Sequence, residues 1–171
     1  MTYNNLKIIS FFSIVLLLFN WKKELVSKVE NNLNFISESE LLDTVQKQTI
    51  NYFWDGAEPN SGLARERLHM DNVYPTSPKN TVTTGGSGFG LMAILVGIER
   101  GFISREDALN RYFQIVDFLE KADRFHGAWP HWLNGETGKV VPFSKRDNGG
   151  DLVETAFLVQ GLLTVSEYFK D

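Results

Sequence analysis

The sequence predicts an all-α fold with an inner and an outer layer of helices, the pattern of an α/α toroid. Three observations carry this reading. Four stretches of the 171-residue chain repeat apolar residues at helical spacing. Two of them are apolar nearly all round and alternate with two that are amphipathic. The connections alternate long, short, long. Helices joined in series run up and down, so both long loops are expected on one rim, where the second and fourth helices begin. Four helices cannot close such a toroid, and a chain of this kind is expected to be the N-terminal portion of a longer protein.

The elements follow in order. Lys7 precedes the apolar run Ile8 to Phe19, which has the length of a signal-peptide core and is short of the roughly 20 residues that span a bilayer. Residues 1–21 are therefore expected to form a signal-like hydrophobic helix that exports the protein to the periplasm or cell surface, either cleaved or kept as a membrane anchor. The run ends like a bacterial lipoprotein signal, with Trp21 where the lipidated cysteine would stand. Residues 22–36 read as a polar linker, and residues 37–171 as the incomplete helical domain.

Ser37 and Glu40 offer a capped, acidic first turn, and Leu41, Leu42, Val45, Thr49, Ile50 and Phe53 form the stripe of a first helix ending near Trp54. A long polar loop runs from Asp55 to about Gly85. The glycine-rich start Gly86-Ser-Gly-Phe-Gly90 opens a buried second helix that stops at Gly101. Ser104 to Asp107 resembles a capping box, and Ala108, Leu109, Tyr112, Phe113, Val116 and Leu119 carry the stripe of a third helix ending near Asp123. A second long loop precedes the fourth helix, which begins at Asp151 and is too apolar for a surface position.

Composition excludes some functions. A formal charge of −4 without a basic run argues against nucleic acid as a partner. The chain has no cysteine, so thiol nucleophiles and Zn–thiolate sites are absent. Thr83 to Gly90 fits neither glycine motif of nucleotide-binding loops. His126 and His131 lack metal-ligand spacing, so no metal and no cofactor are expected.

The chemistry concentrates between His126 and Leu163. Asp151 and Glu154 stand three apart at a helix start, on one face and within reach of each other. A capping pair, Asp at the cap and Glu at the third position, explains that spacing without any function. The surroundings favour more: Asp147 adds a third acid beside Asn148, Gly149 and Gly150. Glycoside hydrolysis needs one carboxylic acid to protonate the leaving oxygen and one carboxylate to attack or to activate water. Close like charges favour keeping a proton while a helix N-terminus favours losing it, and the two tendencies separate an acid from a base. Trp129, His131 and Trp132 lie on the preceding loop, where indole faces suit sugar rings or plug the rim, and His131 suits a polar substrate contact. Arg65 on the first long loop and Trp54 before it are further candidates for substrate binding, although a solvated charge cluster is the stronger reading of Arg65 from the residues alone.

The strings INYFWDGAEPNSGLARER, TTGGSGFGLMAILVGIERGFISREDAL and HGAWPHWLNGETGKVVPFSKRDNGGDLVETAFLVQGLL, in this order, resemble the bacterial glucoamylase-like family, and within it the β-1,2-glucanases of glycoside hydrolase family 144. The resemblance spans about residues 40 to 170. It implies an exported (α/α)6 toroid, monomeric when complete, that hydrolyses β-1,2-linked glucan with inversion and without metal. It assigns substrate or catalytic work to Asp147, Asp151 and Glu154, with Trp129, His131 and Trp132 as loop contacts. On this basis the chain is the N-terminal third of the toroid, with at least one essential carboxylate beyond Asp171, exposed faces on helices two and four, and little or no activity alone. Glu154 is the first choice for the acid, with Asp151 or Asp147 positioning substrate or water. The alternative is a non-catalytic glycan-binding protein of the same fold.

Overall fold

A computed structural model describes Lys23, residues 36–74 and residues 79–170. The signal-like segment 1–21 and almost all of the linker 22–36 lie outside these described residues. Among the described residues no helix is long and apolar enough to cross a membrane. The chain divides into two units, Met1–Leu41 and Leu42–Asp171. In the first, only the start of a helix is described. Ser37 caps it, accepting from Glu40 N at 3.2 Å, while the Glu40 carboxylate accepts from Ser37 N at 2.8 Å. The cap that the sequence suggests is thus present, and the two bonds make it a reciprocal capping box.

Four helices of 16 or 17 residues make up the described secondary structure together with one short ribbon: α1 Glu38–Trp54, β1 Thr81–Thr83, α2 Thr84–Glu99, α3 Arg105–Lys121, β2 Trp132–Asn134 and α4 Leu152–Tyr168. The all-helical class holds, and the ribbon is an addition that the sequence does not indicate. β1 and β2 pair antiparallel, with Val82 opposite Leu133 and Thr83 opposite Trp132. Strands of three residues are too short to show a period in the sequence, yet both central side chains are fully buried. Because β1 lies in the first long loop and β2 in the second, the ribbon fastens the two loops together. This is the shared rim that the loop lengths imply.

α2 and α4, the two helices apolar all round, are direct neighbours. Their axes approach until backbones touch. A Cβ at Gly88 would collide with the Phe157 carbonyl, and one at Gly161 with the Gly88 carbonyl. Gly88 at the α2 start and Gly161 on α4 are thus explained by helix packing. α3 is amphipathic and covers α2 with Ala108, Tyr112, Ile115 and Leu119. Ser104 caps it, accepting from Asp107 N at 3.0 Å. These faces close one core with Leu63, Val82, Leu91, Ile94, Leu133 and Leu158.

The expectation of burial fails on α1, whereas α4 presents the exposed face that the resemblance implies for the fourth helix. On α1 only Ile50 is buried, while Leu42 and Val45 are more than half exposed. On α4 only Leu158 and Gly161 are buried, and Leu152, Val153, Phe157 and Leu163 face out. An apolar stripe states which face seeks cover, and nothing among the described residues covers these.

Candidate active site

The site is built where α2 and α4 start, beneath the ribbon. α4 begins as its sequence directs: Asp151 Oδ1 accepts from Val153 N at 2.9 Å and from Glu154 N at 3.0 Å. Asp151 is therefore a true N-cap. The second half of a capping box is missing. Asp151 N donates to the Trp129 carbonyl at 2.8 Å, so Glu154 is released from that duty.

Glu154 turns instead toward α2. Its Oε2 accepts from Gly85 N at 2.9 Å. The α2 cap residue Thr83 provides no side-chain bond of its own. Two orphan donors of α2 are met from the site: Gly85 N by Glu154, and Thr84 N by the His131 carbonyl at 3.1 Å. Glu154 thus sits between two helix N-termini, each directing partial positive charge at it. Glycine at position 85 makes room for this seat, because a Cβ there would overlap the Glu154 carboxylate and displace it.

His131 joins the two acids. Its Nδ1 lies 3.3 Å from Asp151 Oδ2, and its Nε2 lies 4.0 Å from Glu154 Oε1. Side-chain exposures of 33%, 26% and 19% for His131, Asp151 and Glu154 leave all three reachable yet held. The imidazole also stacks on Trp132, with ring centroids 4.4 Å apart and planes within 14°. The loop carrying it is fixed by Thr84 Oγ1, which donates to the Pro130 carbonyl at 2.5 Å. Asp151 thus spends one oxygen on its helix and faces the imidazole with the other. Glu154 spends Oε2 on α2 and faces the imidazole with Oε1.

The other candidates are placed differently. Asp147 and the exposed Asn148 lie on the adjoining loop, where Asp147 N donates to the Ser144 carbonyl at 3.1 Å. Asp147 makes no hydrogen bond or ion pair to Asp151 or Glu154. Trp129 serves the rim: its N donates to Thr155 Oγ1 at 2.9 Å, its Nε1 to the Leu119 carbonyl at 3.3 Å, and the ring packs against the core. Trp54 also packs against the core, with the Arg111 guanidinium 4.5 Å above its ring. Burial holds that guanidinium below its ordinary pKa, with Asp55 opposing. Arg65, expected on the rim, is buried, and its Nη1 donates to the Lys79 carbonyl. Among the described residues no three His, Asp or Glu groups converge as a metal cage requires.

Sequence reasoning missed Phe143, whose ring stacks on Trp132 at 5.9 Å and 25°. It also missed Gly85 as the seat of Glu154. A glycine beside an uncapped helix start was the available signal.

Comparison with known proteins supplies the context. No family model matches the chain. It is 55% identical over 136 residues to an exo β-1,2-glucooligosaccharide sophorohydrolase of Parabacteroides distasonis, covering 79% of this chain and 18% of that protein. Among solved structures, an endo-β-1,2-glucanase from Chitinophaga pinensis, in complex with sophorotriose and glucose, is 65% identical with a TM-score of 0.78 over 80% of this chain. A β-1,2-glucanase from Parabacteroides distasonis is 54% identical with a TM-score of 0.73. The chain spans 33% and 19% of those two structures, so each shares one part with it and extends well beyond that part.

Proposed function

We propose that the chain is part of a glycoside hydrolase of the glucoamylase-like family and that its rim is one wall of an active site that hydrolyses β-1,2-linked glucan, a reading supported by its similarity to β-1,2-glucan hydrolases. The single observation that carries this is Glu154. A capping glutamate would have bonded back to its own helix start, whereas this one is held by a second helix, with Oε1 toward His131 and the side chain partly exposed.

In the proposed reaction Glu154 gives its proton to the glycosidic oxygen as the bond from that oxygen to the anomeric carbon breaks, the Asp151 carboxylate beyond the shared His131 opposing the pull of the helix N-termini toward the charged form. Water attacks the opposite face of that carbon, which inverts the configuration, and loses a proton to a second carboxylate of the assembled site, one other than the positioning groups Asp151 and Asp147. Asp151 positions the machinery: it fixes the α4 start and orients His131, whose ring borders both Glu154 and Trp132. Asp147, on the loop before α4, is the group of this chain proposed to position substrate or water. Export, to the periplasm or cell surface, is proposed from the apolar run Ile8 to Phe19.

The test is a chimera in which residues 36–170 replace the matching third of the Chitinophaga pinensis enzyme. We expect release of sophoro-oligosaccharides from β-1,2-glucan by the chimera, and a loss of at least about a hundredfold in E154Q, in the range of general acid catalysis. Hydrolysis undiminished in E154Q would sink the proposal. Glucan binding without any hydrolysis in the unsubstituted chimera would favour a glycan-binding role. The 171-residue chain alone is expected to release little or nothing, since it spans a third of that enzyme.

A further inference from the structure

The rings in front of the acid pair form a connected column. It begins at His131, beside Asp151 and Glu154, and passes through Trp132 to Phe143. Trp132 has a neighbour stacked at 4.4 Å and another at 5.9 Å, so much of its ring surface is engaged. Phe143 is the open end, with 76% of its surface exposed. A single exposed phenylalanine needs no explanation in general. This one is held in place. Phe143 N donates to the Asp147 carbonyl at 3.2 Å, and Val141 N donates to the Trp132 carbonyl at 3.0 Å, which ties the loop to itself and to β2.

An ordered aromatic face left open to water, beside a carboxylate pair, matches one kind of ligand well. The face of a β-glucosyl ring presents C–H groups while its edge carries hydroxyls, so an aromatic plane takes the face and leaves the edge hydrated. Asn148 and Lys145 lie on the same loop as Phe143, both exposed, and offer donors for that edge.

We propose that Phe143 is a sugar-stacking residue, forming with Trp132 a subsite for a glucosyl unit away from the bond being cleaved. The proposal rests on the reading of the rim as a β-glucan site, and it assigns to the loop 141–147 a share in substrate binding that is separate from the acid chemistry.

The experiment is titration of the 171-residue chain with sophorotriose, followed by tryptophan fluorescence and by calorimetry. Phe143→Ala is expected to weaken binding about tenfold, and Phe143→Tyr to restore it, as loss and recovery of one stacked ring predict. Circular dichroism and the melting temperature should stay unchanged in both variants, because the ring is exposed. Wild-type affinity in Phe143→Ala overturns the proposal, and so does absence of sophorotriose binding by the unsubstituted chain. These outcomes are separable from the hydrolase reading. Binding that ignores Phe143 while E154Q abolishes hydrolysis in the chimera removes the subsite and leaves the reaction standing; hydrolysis surviving in E154Q removes the reaction whatever Phe143 does.

Discussion

At the scale of residues, one spelling serves two purposes. Asp151 and Glu154 have the spacing of a capping pair, and that spacing alone cannot say whether the glutamate closes the box. The structure divides the roles: Asp151 caps, and Glu154 crosses to Gly85. Gly85 is the partner that makes the crossing sterically feasible, since any side chain there would meet the Glu154 carboxylate. Gly85→Ala tests this. Alanine suits a first helical turn, so the melting temperature should move by no more than a few degrees, while displacement of Glu154 should cut turnover in the chimera at least about tenfold, the usual scale for a misplaced catalytic group. Turnover equal to the glycine form would show that the seat of Glu154 is immaterial. The acids themselves were legible from their types and order. Arg65 was not, because a charged residue on a polar loop gives no sign that its guanidinium will be buried against the Lys79 carbonyl.

At the scale of elements, periodicity located all four helices, since a stripe sustained over 16 or 17 residues is a strong signal. It could not find the ribbon, whose strands are three residues long. The α3 to α2 contact offers a test of element packing. Tyr112 on α3 is buried, and its hydroxyl donates to the Leu91 carbonyl of α2 at 3.0 Å. Burial pushes its phenol well above the ordinary tyrosine pKa, with Tyr168 adding to the effect. A pKa raised in the folded state means that the neutral form is favoured there. The associated stability is complete below the unfolded value near 10 and is lost as pH rises from there toward the folded pKa. In urea unfolding between about pH 8 and pH 11, wild type should lose stability relative to Tyr112→Phe as the unfolded phenol ionises. At neutral pH the substitution should cost about 0.5–1.5 kcal/mol for the lost hydrogen bond. Parallel pH curves for the two proteins would show that the phenol is not held neutral by this packing.

At the scale of the molecule, the question is what the apolar faces do. α4 exposes Leu152, Val153, Phe157, Val159 and Leu163, and Phe157 meets the exposed Phe89 of α2 at 5.2 Å, so the surface runs across both helices. The family resemblance foretold exposed faces on helices two and four, while periodicity alone placed both inside, because hydrophobicity measures the demand for cover and not its supply. Contiguous apolar patches of this kind are uncommon on monomeric proteins and drive association through burial of area, at roughly 25 cal/mol per Å² before the cost of docking. The 171-residue chain is therefore expected to self-associate. Sedimentation velocity at micromolar and higher concentrations should show mass rising with concentration. Phe157→Ser combined with Leu163→Lys should shift it toward monomer without loss of helicity, since both side chains face out while Leu158 and Gly161 keep the α2 contact. Salt sharpens the distinction from charge pairing, because screening weakens ion pairs and leaves apolar contact intact. A monomer at all concentrations would mean that these faces tolerate water; association dissolved by salt would place its cause in charged groups elsewhere.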